Sequence, residues 1–404
     1  MTKNDILILQ SLAKQQMEYA AAPQNKEREK AWYLHNDLKL DRPMVTIEEG
    51  TFFHEVSRPL KCETEKGRAF ERQLMANIIG REDLDDDRVT PESFAIMRPS
   101  WFLPFGMDAK KRRAHAEDLG FEIVPVIHDL EEDFDKLGSS AWGYSKENPD
   151  LALAQDIFAG IIPVEEVSTY PYIGLAHTLV NYMSMETFYT SMYDCPELLH
   201  QLINRLSEEV IIYHKELESE AILITNNRLN PVPQGTISAT NELTYKDGAA
   251  LKDMWGYSDS QESVGLSPEM FNEFIFSYQK KLTDMWGLMN YGCCEAVHTV
   301  WDDYLSKCKN LRKLSISPWC DEEMMGERLQ GTRVIYHRKP SPNLVGEKNF
   351  NEEEFSKHII KTLKAAKGCK LEFSLRDIYS AGGEKARGKK VVRLIWDLID
   401  KYWH

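Results

Sequence analysis

The chain has 404 residues, 64 acidic and 49 basic, for a formal charge of −15. That balance argues against nucleic acid or an anionic membrane surface as a partner, and no apolar run approaches the roughly 20 residues that cross a bilayer. Length and a 42% apolar content suit two ordinary domains or one large α/β barrel with extensions.

In chain order, Ile6, Leu7, Leu9 and Leu12 open an amphipathic segment without the apolar core or cleavage site of a leader peptide. The pattern predicts two polar-rich helices over 4–38, ending before Asp41-Arg42-Pro43, then a short strand at Met44, Val45 and Ile47. Residues 67–79 read as a helix, Asp83 to Asp87 as a solvated acidic loop, and Phe121 to Ile127 as a buried strand. Helices follow over 184–193 and 196–220, the second with Pro196 in its first turn and Leu199, Ile203, Leu206, Val210 and Ile211 along one face.

From residue 221 the pattern becomes regular. Apolar runs at 221–225, 285–290, 311–315, 333–336 and 370–373 each precede a helical stretch, over 267–285, 297–308, 321–330, 351–367 and 389–402. Alternating strands and helices imply parallel pairing with crossovers. No GxGxxG or phosphate-loop pattern follows a strand. The expected fold is therefore a (β/α)8 TIM barrel over residues 41–404, preceded by an N-terminal helical extension over 1–40. The seven cysteines (62, 195, 293, 294, 308, 320 and 369) lack the spacing of a disulfide scaffold, which points to a reduced, cytoplasmic setting.

Chemistry in such a barrel sits where strands end. Those positions hold Asn226 and Asn227, then Cys293, Cys294 and Glu295, then Ser317, Trp319, Cys320 and Asp321, then His337, Arg338 and Lys339, and finally Arg376 and Asp377. Asn226, Arg338 and Asp377 are the candidate catalytic residues; Tyr291, Trp319 and Arg376 are the candidate substrate contacts. Tyr170, Tyr172 and Trp255 are further candidates to line the pocket. Taken singly, each has a structural reading: a turn cap, a rim plug, an internal ion pair. Thiolate and imidazole at one strand-to-helix junction suit zinc, so Cys293, Cys294, Glu295 and His298 are the candidate metal ligands. The rival reading of the thiols is that of small buried hydrophobes.

Tyr291-Gly-Cys-Cys-Glu295, Asn310-Leu-Arg-Lys-Leu-Ser-Ile-Ser-Pro-Trp-Cys-Asp321 and Arg338-Lys-Pro-Ser-Pro342 resemble a branch of the uroporphyrinogen decarboxylase superfamily similar to the corrinoid-dependent methyltransferases. Leu266-Ser-Pro-Glu-Met-Phe-Asn-Glu-Phe274 and Met192-Tyr-Asp-Cys-Pro-Glu197 extend the resemblance over most of residues 180–378. It implies a (β/α)8 barrel with its pocket at the C-terminal face, zinc held by a His-x-Cys motif and a second cysteine near the last strand's end, and cobalamin carried by a partner protein. Cys293 falls on the motif's cysteine, but Tyr291 stands where the histidine belongs, and Leu375 and Arg376 occupy the last-strand position. The nearest run to the arginine-rich segment of uroporphyrinogen decarboxylase itself, Met97-Arg-Pro-Ser-Trp-Phe-Leu-Pro104, holds a single arginine. Haem biosynthesis is therefore not expected.

The expected function is demethylation of a small methoxyaromatic or methylamine, with a corrinoid protein as methyl acceptor and a homodimer as a further partnership. The alternatives are a metal-independent decarboxylase or lyase on a small carboxylate gripped by Arg338, Lys339 or Arg376, and a catalytically silent ligand-binding barrel.

Overall fold

A computed structural model describes residues 1–113 and 120–404. The chain opens with α1 (Lys3–Ala20) and α2 (Pro23–Asn36), the first capped by Thr2, whose hydroxyl accepts the Asp5 N–H at 3.1 Å. Further along come α3 (Glu65–Ile79), α4 (Pro196–Ser219), α5 (Glu322–Leu329), α6 (Glu352–Ala365) and α7 (Arg387–Tyr402). Pro196 starts α4, and Leu199, Leu202, Ile203, Leu206 and Val210 bury its apolar stripe. Asp321 and Asn351 cap α5 and α6 by accepting the N–H three residues on. No described helix is long and apolar enough to cross a membrane.

Seven parallel strands form the central sheet: β1 (Met44–Ile47), β2 (Tyr172–Ile173), β3 (Trp255–Ser258), β4 (Leu288–Tyr291), β5 (Leu311–Ile316), β6 (Ile335–Arg338) and β7 (Leu371–Leu375). Their order is β1-β7-β6-β5-β4-β3-β2, so the last strand pairs with the first, as in a TIM-like barrel. The expected eight-stranded closure does not form among the described residues: β1 and β2 are the two edges. The run 221–225, expected to be a barrel strand, makes only an isolated bridge between Ile224 and Asp247. Two-residue β2 and the unread strand β3 take the places beside β4 instead.

The free edge of β1 is covered by side chains. The N–H groups of Val45 and Ile47 donate to Asp87 Oδ2 (2.7 Å) and Asp86 Oδ2 (2.9 Å). The acidic run thus ends in two buried carboxylates rather than a wholly solvated loop, because unpaired strand amides need acceptors. The expected buried strand over 121–127 is Glu122–Val124, a partly exposed strand paired antiparallel with Lys110–Arg112. Phe94–Met97 pairs with Val164–Val167, and Ser100–Leu103 with Ala141–Tyr144, outside the main sheet.

The inner face of the sheet is polar, and it curls around a short hairpin, Pro231–Val232 paired with Thr236–Ile237. Gly235 has φ +80°, a backbone that glycine adopts without strain. Its carbonyl accepts from Thr46 Oγ1 (2.7 Å) and Ser374 Oγ (3.1 Å), while Asn290 Nδ2 donates to the Pro233 carbonyl (2.8 Å) and Lys313 Nζ to Thr236 Oγ1 (2.6 Å). Glu372 Oε2 lies 2.9 Å from Lys313 Nζ and 3.0 Å from His35 Nε2, tying α2 to the sheet. Burial opposes ionisation of Glu372, but Lys313, His337 and His35 hold its carboxyl well below the usual range. Removing one partner of a buried pair strands the other charge. Glu372→Gln is therefore expected to cost about 3–5 kcal/mol of stability in urea unfolding, and a cost within experimental error would show that this network does not hold the fold.

Candidate functional site

The loops after β3, β4, β6 and β7 and the tip of the hairpin meet at the C-terminal end of the sheet. Gly292, with φ +96°, turns the chain out of β4, and Glu295 folds back over the turn. Its Oε2 accepts the Cys293 N–H at 2.6 Å and its Oε1 the Ser260 N–H at 2.9 Å, so one carboxylate joins the loops after β3 and β4. Cys293 and Cys294 lie with their Sγ atoms 3.7 Å apart. Ser315 Oγ donates to the Cys293 carbonyl at 3.1 Å.

Lys339 follows β6 and is 4% exposed; its Nζ donates to Gln234 Oε1 at the hairpin tip. Gln234 Nε2 in turn donates to the Tyr257 hydroxyl (2.7 Å), which donates to Asp259 Oδ2 (2.8 Å). Tyr172 donates to Asp259 Oδ1 (3.3 Å) and stacks on Tyr257, with ring centres 5.6 Å apart and planes 11° from parallel. Arg376 lies at the end of β7, its Nε 3.3 Å from Glu48 Oε2 and 3.4 Å from Asp377 Oδ2.

Burial sets the protonation pattern. Burial, and then the charge of Arg376, pushes the Lys339 ammonium down to about 8. Burial, and then Asp259, raises Glu295 to about 7. Burial likewise raises Asp259, and the Cys293 thiol's hydrogen bond to Cys294 lowers the latter's pKa while raising its own. The mouth therefore gathers an ammonium and a carboxyl that are both drawn toward neutrality, a combination suited to proton transfer.

The candidates read from sequence divide here. Cys293, Cys294, Glu295, Arg376 and Asp377 gather at this mouth. Arg338 does not: it faces outward, fully buried, bonded to Glu322 Oε1 (2.8 Å), Thr362 Oγ1 (3.2 Å) and the carbonyls of Ile316 and Ser317, and so fastens the sheet to α5 and α6. Asn226 brackets the Trp255 backbone, donating to its carbonyl (3.0 Å) and accepting its N–H (2.8 Å), at the N-terminal end of β3 and away from the mouth. Trp255 lies at that same end. Tyr291 is buried among apolar residues of the core. Trp319 is 74% exposed on the loop after β5, and Tyr170 is exposed.

The four expected zinc ligands do not form a set. Both Glu295 oxygens are taken by backbone N–H groups, and His298 Nδ1 accepts the Asp321 N–H (3.3 Å) at the start of α5. Among the described residues no group of three or more His, Cys, Asp or Glu side chains is placed to share an ion. As they are placed, these four side chains do not fit a zinc site among the described residues. Gln234, Tyr257 and Asp259 were missed in the sequence. The signals that mark them are the Pro-Gln-Gly turn at 233–235 and an acidic residue directly after the Trp-Gly-Tyr-Ser strand.

No protein-family model and no curated protein matches the chain. A solved structure, a methyltransferase from Methanosarcina mazei, is similar over 93% of this chain and 99% of its own, with a TM-score of 0.50 and 13% identity. The likeness is one of fold.

The raised carboxyl of Glu295 has a pH signature. Between its ordinary value of 4.5 and about 7 the folded chain retains a proton that the unfolded chain releases. Its contribution to stability is thus complete below the lower value and is lost as pH rises through the upper one. Glu295→Gln is expected to flatten the stability profile across that window, measured by chemical unfolding at stepped pH; an unchanged slope would exclude Glu295 as the group that titrates.

Proposed function

We propose that the chain is a methyltransferase-type enzyme that demethylates a small methoxyaromatic compound, with a corrinoid protein as acceptor. The observation that carries this reading is Lys339, a buried ammonium at the mouth with an acid strength drawn toward neutrality. A methyl ether is a poor electrophile because it must expel a basic phenoxide. A proton delivered to that oxygen as the C–O bond breaks lowers the barrier, and a general acid works best when its pKa lies near the working pH. Cob(I)alamin, as co-substrate, supplies the nucleophile.

Tyr172, partly exposed and stacked on the buried Tyr257, would offer an aromatic face to the ring of the donor. A quaternary methylammonium offers no leaving-group lone pair for the Lys339 proton to reach, so the methoxyaromatic is preferred over the methylamine. The strand-end motifs that resemble the corrinoid-dependent branch, and the fold shared with the Methanosarcina mazei methyltransferase, support the same reading. The zinc of that branch finds no ligand set among the described residues, and no step is assigned to it. A second reading, a metal-independent decarboxylase or lyase on a small carboxylate, is favoured by Arg376, whose buried Nη1 has no hydrogen-bond partner.

The test is methyl transfer from a panel of methoxyaromatics to cob(I)alamin, followed by its visible spectrum. The rate is expected to fall as pH rises through about 8, and Lys339→Met is expected to lower it on the order of 10²–10⁴-fold. Full activity in Lys339→Met removes the proposed acid. Release of carbon dioxide from an aryl carboxylate, without methyl transfer, replaces the first reading by the second.

A further inference from the structure

Adjacent side chains on an extended strand point to opposite faces. Cys293 and Cys294 do not: the chain bends at 293–295 directly after the left-handed Gly292, and the two Sγ atoms come to 3.7 Å. The bend is fixed on both sides. Glu295 holds the Cys293 N–H and Ser315 holds the Cys293 carbonyl, so the backbone that brings the two sulfurs together is held in place. Cys294 is exposed and Cys293 partly so, whereas Cys62, Cys308, Cys320 and Cys369 are buried. Neither thiol has a role in the proton transfer assigned to Lys339, and among the described residues the pair belongs to no metal-ligand set.

We propose that Cys293 and Cys294 form a reversible oxidation site, at which a hydroperoxide joins two adjacent thiols into one vicinal disulfide. The more exposed sulfur, Cys294, attacks the terminal peroxide oxygen. The O–O bond breaks, Cys294 becomes a sulfenic acid, and the alcohol or water leaves with the thiol proton. The Cys293 sulfur then displaces the sulfenic hydroxyl, which departs as water with the second thiol proton. Two thiols are oxidised by two electrons and one peroxide is reduced.

Neighbouring Cα atoms lie about 3.8 Å apart across a trans peptide, closer than the roughly 4.4–6.8 Å at which disulfides are usually found. Such a link is strained and yields readily to a dithiol, which suits a modification that comes and goes rather than a structural crosslink. The inference stands on the geometry of the two sulfurs and is independent of the reaction assigned to the mouth.

The experiment treats the reduced full-length chain with stoichiometric hydrogen peroxide, alkylates the remaining thiols and maps the peptides. Two of the seven thiols are expected to disappear, both in the peptide carrying Cys293 and Cys294, with the loss of two hydrogens in mass and full recovery in dithiothreitol. Cys293→Ser should leave a sulfenic acid on Cys294 that dimedone traps, and Cys294→Ser should form no disulfide. The peptide map of the unsubstituted chain decides the matter even if a variant folds poorly. Free thiols at 293 and 294 while other cysteines react, over-oxidation to sulfinic acid without a disulfide, or a link that dithiothreitol does not open would each overturn the proposal.

Discussion

A sheet whose inner face carries Thr46, Asn290, Lys313, His337, Glu372 and Ser374 cannot close on an apolar core. Buried polar groups cost free energy unless each finds a partner. The hairpin at 231–237 and helix α2 supply many of those partners. Low in the interior, Glu372 collects Lys313 and His35. Midway, the Gly235 carbonyl accepts two hydroxyls from neighbouring strands. At the top, Gln234 joins Lys339 to Tyr257. The same hairpin that bonds to the interior thus delivers the side chain that orients the mouth, so fold and site draw on one set of hydrogen bonds.

Much of the fold was legible from residue 285 onward because the outward faces of β4 to β7 pack on helices and read as apolar runs with clear spacing. The helices over 322–329, 352–365 and 387–402 lie within two residues of expectation, and Asp321 and Asn351 mark the starts of the first two. Elsewhere composition misled. The run at 221–225 is as apolar as a strand, yet Ile224 is bridged only to Asp247 and the backbone of 222 and 224 is satisfied by Arg98 and Ser168. Conversely, Trp255–Ser258 holds a glycine and a serine and gave no strand signal, though its pairing on both sides makes it one. Burial of Asp86 and Asp87 was invisible because a run of like charges ordinarily faces water.

The site was legible by neighbourhood but not by orientation. His337, Arg338 and Lys339 were three polar residues in succession at one strand end. The two-residue alternation of a strand separates them: His337 points inward to Ser374 (2.7 Å), Arg338 outward to Glu322, and Lys339 inward again to Gln234. A one-residue step therefore divides a structural clamp from the proposed acid. The same alternation turns Tyr291 into the core beside an inward Asn290. What no pattern in the strands could reveal is Gln234, because its place depends on a hairpin entering the sheet from a distant part of the chain.

The carboxylates along β1 carry a consequence for association. An unpaired strand edge is ordinarily adhesive, a template onto which another chain's strand can be added. Here the amides such an intruder would need already donate to Asp86 and Asp87, and the charges behind them make desolvation of that border costly. The seam left where an eighth strand would close the sheet is thereby kept solitary by two acidic side chains, and crowding or high concentration should find little purchase there.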